Sequence, residues 1–295
     1  MNLPELIDKY GSEDKCRAYL EGLRWPDGIA CPRCQLTKIS KIVKRNQFDC
    51  DSCRYQFSVL VGSVFSDTHL PLAKWMLATY IICESKKGVS SNQLKRMLGV
   101  SYKTAWFLSH RIRAAMKDES AELLSGIVEV DEAFIGGKVR GKGKGYRKNK
   151  SIVVGAIARG GDVRIRTVTR NNKKQLGEFI TSVVSPDATA IHTDEHPGYW
   201  GVGDHNTRHE TVEHRAEEWV RGDVHTNTVE GVWSLLKRSV VDSYHQLSAK
   251  HLPAYLDEMS FRFNNRDNPY LFRDTLLRLL NAETLRYAEL IEAHA

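Results

Sequence analysis

The chain of 295 residues has no apolar run approaching the roughly 20 residues that a membrane-spanning helix needs, which argues against a helical membrane protein. Its first ten residues lack the basic-then-apolar order of a secretory leader and carry Glu5 and Asp8 instead, so a cytoplasmic location is expected. Cysteine is sparse: six in all, four of them in two CxxC pairs. A disulfide framework is unsuited to so long a chain, and the pairs suit reduced metal ligands. Acid is missing altogether from residues 138–150, Lys-Val-Arg-Gly-Lys-Gly-Lys-Gly-Tyr-Arg-Lys-Asn-Lys, where seven basic residues account for the whole formal net charge of +7. The rest of the chain is neutral. A Gly-rich loop of that charge packs poorly and has a phosphate backbone as its natural counterpart.

The length allows a sizeable core and two or more domains. Glu13–Leu23 reads as a helix with Ser12 as N-cap, ended by Arg24-Trp25-Pro26-Asp27-Gly28. Cys31-Pro32-Arg33-Cys34 and Cys50-Asp51-Ser52-Cys53 follow, with fifteen residues between the pairs and strand-like stretches at Lys41–Val43 and Gln47–Cys50. This is the pattern of a four-cysteine zinc ribbon. Cys31, Cys34, Cys50 and Cys53 are the expected ligands of a structural Zn²⁺, and so small a segment lacks a core to fold without the ion. Cys16 and Cys83 are expected to be small core residues.

Leu72–Ser85 is a mostly apolar helix. Two more helices flank Gly99-Val100-Ser101 between Ser90 and Met116, an arrangement similar to a helix-turn-helix. The second carries Lys103, Arg111 and Arg113, which are expected to contact DNA. Beyond residue 120 the pattern changes to β: Ile127–Gly137, then Ser151–Ala158 and Val163–Thr169 joined by the hairpin Arg159-Gly160-Gly161-Asp162. A helix at Lys173–Val184 and a strand at Ala188–Thr193 complete what resembles the opening of a ribonuclease H-like fold.

Acids mark this region. Asp131 lies within a strand where Val or Ile is usual, and a carboxylate there needs a cation or hydrogen-bond partner. Asp194 stands at a strand end after 62 intervening residues, and Glu230 follows after 35 more. Glu230 lies on an amphipathic helix whose apolar stripe is Val229, Val232, Trp233, Leu236 and Val240. Asn227 sits about one turn before it and Lys237 about two turns after it, on nearly the same face. Glu129 shares a strand face with Asp131, while Glu132 and Glu195 alternate away; these three are expected to be ion-paired or solvated. The histidines 192, 196, 205, 209 and 214 match no zinc spacing.

The chain resembles the DDE-type transposases of bacterial insertion sequences, specifically the ISXO-like family with an N-terminal zinc ribbon. The carrying residues are Val130-Asp131-Glu132 with Ile135-Gly136-Gly137, Thr193-Asp194-Glu195, His225 to Gly231 with Lys237, and Phe261 to Arg266. The resemblance implies an enzyme in which Asp131, Asp194 and Glu230 hold two Mg²⁺ or Mn²⁺ ions for phosphodiester cleavage and strand transfer. Lys237 would meet a phosphate beside the scissile bond. Parts of the family have Asn as third ligand, so Asn227 competes with Glu230, which is favoured because an anionic oxygen binds Mg²⁺ better than an amide. It further implies double-stranded DNA as partner, at terminal inverted repeats and target, a homodimer or larger synaptic assembly, and a nucleoid-associated location.

The expected fold class is α+β multidomain: helix and zinc ribbon at 1–65, a helix-turn-helix-like region at 66–120, a ribonuclease H-like α/β catalytic domain at 121–245, and C-terminal helices at 246–295. Lys138, Arg140, Lys142, Lys144, Arg147, Lys148 and Lys150 of the basic loop are expected along DNA beside the active site. A DNA-binding regulator descended from such an enzyme, and a metal-dependent nuclease without strand transfer, are the rival functions.

Overall fold

The computed structural model describes residues 1–118, 121–137, 149–202, 207–212 and 220–292, which form two compact units. Among them no helix is long and apolar enough to cross a membrane. The first unit holds residues 1–85, residues 89–116 and the C-terminal residues from Asn268 onward. The second holds residues 86–88 and Lys117–Asp267. The expected catalytic segment thus gains the helix Leu252–Asn264, while the last helices belong with the first unit.

In the first unit, helix α1 (Leu3–Tyr10) and helix α2 (Glu13–Arg24) precede the ribbon. Ser12 caps α2 by accepting the Lys15 amide, as its N-cap position predicts. Strands β1 (Ile39–Ile42), β2 (Gln47–Cys50) and β3 (Gln56–Phe57) form an antiparallel sheet in that order. Its small core joins Phe48 and Phe57 to Trp25, whose ring meets Phe48 edge-on at 5.5 Å. Helix α3 (Leu72–Glu84) is followed by α4 (Ser91–Leu98) and α5 (Tyr102–Ala114). Gly99 turns between the last two at φ +59°, a conformation that favours glycine, and Ser101 caps α5 by accepting the Thr104 amide. Helices Leu271–Asn281 and Tyr287–Ile291 complete the unit.

The second unit is built on a five-stranded sheet. Its strands are β4 (Ile127–Ile135), β5 (Ser151–Ala158), β6 (Val163–Val168), β7 (Ala190–Asp194) and β8 (Arg208–Val212), in the order β6-β5-β4-β7-β8. The meander β4-β5-β6 is antiparallel, and β4, β7 and β8 run parallel. This is the ribonuclease H-like arrangement, with β4 at the centre. Alternation along β4 sends its side chains into two cores. Val128 and Val130 pack with Leu176, Phe179 and Ile180 of α6 (Lys173–Val183). Ala133 and Ile135 pack with Val229, Val232, Trp233 and Leu236 of α7 (Asn227–Arg238), and with Leu252, Leu256 and Met259 of α8 (Leu252–Asn264).

Candidate active site and metal centre

The four cysteines converge. Cys31 Sγ stands 3.6 Å from Cys53 Sγ and Cys34 Sγ 3.5 Å from Cys50 Sγ, and one ligand atom from each lies within 4.8 Å of all the others. Tetrahedral thiolates at about 2.3 Å from an ion are separated by roughly 3.8 Å, so the cluster has the size of a tetrahedral four-sulfur site. The two knuckles are built alike. Gln35 and Arg54, each just past the second cysteine, adopt φ values of +61° and +55° and donate their amides to Cys31 O and Cys50 O. Non-glycine residues enter this left-handed region at a cost, which an ion shared by the four thiolates would offset.

Asp131 and Asp194 are placed by strand register. Glu129 is opposite His192 in the parallel β4–β7 pair, and two residues further along each strand stand Asp131 and Asp194. Both residues are half-buried. Burial, then the negative charges of Glu132 and Asp194, raise the Asp131 carboxyl to about 7. Asp194 is raised for the same leading reason, although the His196 amide donates to its Oδ1 at 3.0 Å and works the other way. Glu132 points to the α6 side, where it accepts the buried Tyr199 hydroxyl at 2.6 Å and the Asn171 amide at 3.3 Å. Burial and the charge of Glu132 push the Tyr199 phenol well above its ordinary value. Several acids thus crowd one end of two neighbouring strands, an arrangement that a divalent cation relieves.

The third expected acid, Glu230, lies on α7, which is docked on β4 at two points. Glu129, fully buried, accepts the amides of Thr228 and Val229 at 2.8 and 3.1 Å and the Thr228 hydroxyl at 2.8 Å. The helix's own N-cap, Thr226, makes no side-chain capping bond, so a strand residue does the capping. Arg159 compensates the Glu129 charge at 2.7 Å and also reaches His225 O and His192 Nδ1. The expectation that Glu129 is ion-paired holds. Farther along the helix, Trp233 donates its indole N–H to Asp131 Oδ2 at 2.9 Å.

Glu230, Asn227 and Lys237 are exposed on α7, and Thr226 Oγ1 donates to Glu230 Oε1 at 3.2 Å. Among the described residues, the four cysteines are the one group of three or more ligands drawn within 4.8 Å; the structure brings Asp131 beside Asp194 but does not draw Glu230 into such a cluster with them. Arg159, Tyr199 and Trp233 had no sequence-level assignment to the site. Trp233 reads as part of the apolar stripe, and its position three residues after Glu230 was the available signal.

Two expected DNA contacts are corrected. Arg111 and Arg113 are buried. Arg111 donates to the carbonyls of Val64 and Ser66 and lies over the Trp75 ring, while Arg113 donates to Ser109 Oγ at 3.0 Å. Helix α5 turns most of its length into the core of the first unit, and these cations answer interior carbonyls and hydroxyls rather than phosphate. Lys103, near the start of α5, is exposed, with its ammonium 4.3 Å from the Tyr287 ring centre. Of the basic loop, Lys138, Arg140, Lys142, Lys144, Arg147 and Lys148 lie outside the described residues; Lys150 is half-buried.

Comparison with known proteins bears on this architecture directly. Residues 123–264 match the ISXO2-like transposase domain, and residues 11–56 match the transposase zinc-ribbon domain. A protein of Halobacterium salinarum, described as an uncharacterized protein in transposable element ISH50, is 26% identical over 275 residues, 87% of this chain and 92% of its own. The HTLV-2 integrase catalytic core in complex with magnesium aligns over 48% of this chain and 84% of its own at 15% identity, with a TM-score of 0.27. The Mos1 strand transfer complex aligns over 70% and 74% at 10% identity, with a TM-score of 0.30. Likeness at that level is too slight to bear on function. The two matched domains, the ribbon's cysteine cluster and the strand order define a transposase, an enzyme that cuts nucleic acid. The chain thus carries an ISXO2-like transposase domain at residues 123–264 behind a transposase zinc-ribbon domain at residues 11–56.

Proposed function

We propose that this transposase binds the terminal repeats of its element and cuts and joins DNA by in-line phosphodiester chemistry at Asp131, Asp194 and a third ligand from α7. The observation that carries the reading is the placement of Asp131 and Asp194 at the same level of adjacent parallel strands, where burial and then the neighbouring acids raise the Asp131 carboxyl to about 7. Such a carboxyl pair fits divalent magnesium or manganese. When bound, the ions would supply charge for the attacking and leaving oxygens of the phosphodiester. Glu230, and in second place Asn227, would be the ligand from the first turn of α7. Its capping by Glu129 keeps that turn on the sheet.

In the first reaction water attacks phosphorus at the element end and the P–O bond to the 3′ oxygen breaks, leaving a 3′-hydroxyl. In the second that 3′ oxygen attacks target phosphorus and expels the target's own 3′ oxygen. Lys237, exposed two turns beyond Glu230, would hold a phosphate nearby, and the basic residues of 138–150 together with Lys103 would follow the backbone. The ribbon, with one structural Zn²⁺ on its cysteines, and the α4–α5 pair would bind the ends, with two or more protomers bringing two ends together.

The test is cleavage and strand transfer on labelled element ends with Mg²⁺. Asp131→Asn and Asp194→Asn are expected to abolish both while end binding survives. Unaltered cleavage in either variant would refute the assignment. A wild-type chain that binds ends and cuts nothing would favour the regulator reading. Cutting without joining would leave a nuclease.

A further inference from the structure

The indole of Trp233 occupies an unusual seat. Gly155 of β5 is directly opposite Asp131 in the antiparallel register. A Cβ at Gly155 would stand 2.6 Å from the ring's Cη2 and 2.9 Å from Cζ2, closer than the side chain could tolerate. The missing side chain therefore makes the notch into which the ring fits, and the ring is only 3% exposed. A buried indole needs a partner for its N–H. Here the partner is the Asp131 carboxylate rather than a backbone carbonyl.

We propose that Trp233 is a positioning residue for the reaction, with Gly155 as the notch that admits it. The indole bond fixes Asp131 Oδ2 and so selects one rotamer of that side chain, leaving Oδ1 to serve as ligand. Because Trp233 and the candidate third ligands Asn227 and Glu230 share α7, the same bond also sets the first carboxylate at a constant distance from the helix that carries the third. Sequence alone places Trp233 among core residues and Gly155 in a strand where glycine weakens the pairing. The pair makes sense together, since each accounts for the other. The proposal rests on the reading of Asp131 as a metal ligand, and its test separates the two.

Full-length protein would be compared as wild type, Trp233→Phe, Gly155→Ala, the double variant and Asp131→Asn. Phenylalanine keeps an aromatic ring but has no N–H, and the alanine methyl displaces the indole without removing it. Mn²⁺ binding, followed by the resonance of the free ion, and single-turnover cleavage are each expected to weaken by roughly 10- to 100-fold in Trp233→Phe and Gly155→Ala, the range found when a partner that orients a metal ligand is lost. The double variant is expected to be no worse than Trp233→Phe, because the smaller ring makes room for the methyl. If Trp233→Phe fails to fold, Gly155→Ala carries the comparison. In metal-free protein labelled at tryptophan nitrogen, the resonance that Trp233→Phe removes is expected to move in Asp131→Asn. Wild-type Mn²⁺ binding and cleavage in both single variants, or an indole resonance indifferent to Asp131→Asn, would overturn the proposal. Normal cleavage in Asp131→Asn would instead overturn the assignment of Asp131, while the resonance still reports on the hydrogen bond.

Discussion

Glu129→Gln tests how α7 is held on the sheet. Glu129 Oε1 receives Arg159 Nε at 2.7 Å and the Thr228 hydroxyl at 2.8 Å, while Oε2 receives the amides of Thr228 and Val229. Glutamine has one acceptor oxygen, so whichever way its amide is turned, an NH₂ group meets donors. The best orientation keeps the oxygen on the helix amides and sets NH₂ against Arg159 Nε, which cannot accept. The Thr228 hydroxyl can rotate to accept; the guanidinium has no such remedy. Removing one partner of a buried ion pair costs about 3–5 kcal/mol. Arg159 keeps 22% side-chain exposure and its bonds to His192 and His225, which points to the lower end, about 3 kcal/mol. With a urea dependence of about 2 kcal/mol per molar, the midpoint of the second unit falls by about 1.5 M. Hydrogen exchange in peptides of β4 and α7 across a urea series reads that transition within the full-length chain. The amides of Thr228 and Val229 are expected to lose protection first. A midpoint shift below about 0.3 M, with those amides unchanged, would refute Glu129 as the anchor of the helix.

Other consequences can be checked independently. The folded Asp131 carboxyl sits at about 7 against an ordinary 3.8, so its effect on stability is fully present below about pH 3.8 and is lost as pH rises through 7. In metal-free protein, Asp131→Asn is therefore expected to raise stability at pH 8 by up to about 4 kcal/mol and to flatten the decline between about pH 4 and 7, as measured by urea midpoints. Mg²⁺ is expected to raise the thermal midpoint more at pH 8 than at pH 5, where protons compete for the same oxygens; an equal rise at both would argue against the site. Cys50→Ser is expected to abolish metal retention by the ribbon and expose residues 39–57 to protease while the transition of the second unit stays in place, measured by metal content and limited proteolysis. Arg111→Ala is expected to destabilise the first unit by about 3 kcal/mol and leave the salt dependence of DNA binding unchanged. A slope reduced by about one would put Arg111 on phosphate instead.

Much of this protein is legible in its sequence because the signals are local. The CxxC spacing specifies a four-sulfur cluster, Ser12 and Ser101 mark helix starts through a bond three residues away, and alternation along β4 separates its two faces. The aspartates could be singled out because an acid in a strand of Val and Ile conflicts with its surroundings. Their register across β4 and β7, by contrast, joins residues 63 apart in the chain, and nothing in the spacing fixes it.

The misreading of Arg111 and Arg113 has the same origin. Helical periodicity places them on α5, and a cation on a helix beside a glycine turn suggests phosphate, but the side of a helix that faces inward is set by what packs on it. The α5 helix is covered by other elements of its own unit, and its arginines satisfy carbonyl and hydroxyl groups there. Trp233 shows the converse. Its place in the apolar stripe is plain from the pattern, whereas its indole bond to Asp131 depends on a glycine in a different strand. Sequence by itself determined which elements form and which residues carry charge or sulfur, since those follow from neighbours a few positions away. Only the tertiary structure decided which carboxylates crowd together, which cations turn inward and what holds α7 to β4, because those outcomes rest on burial and distance between residues remote in the chain.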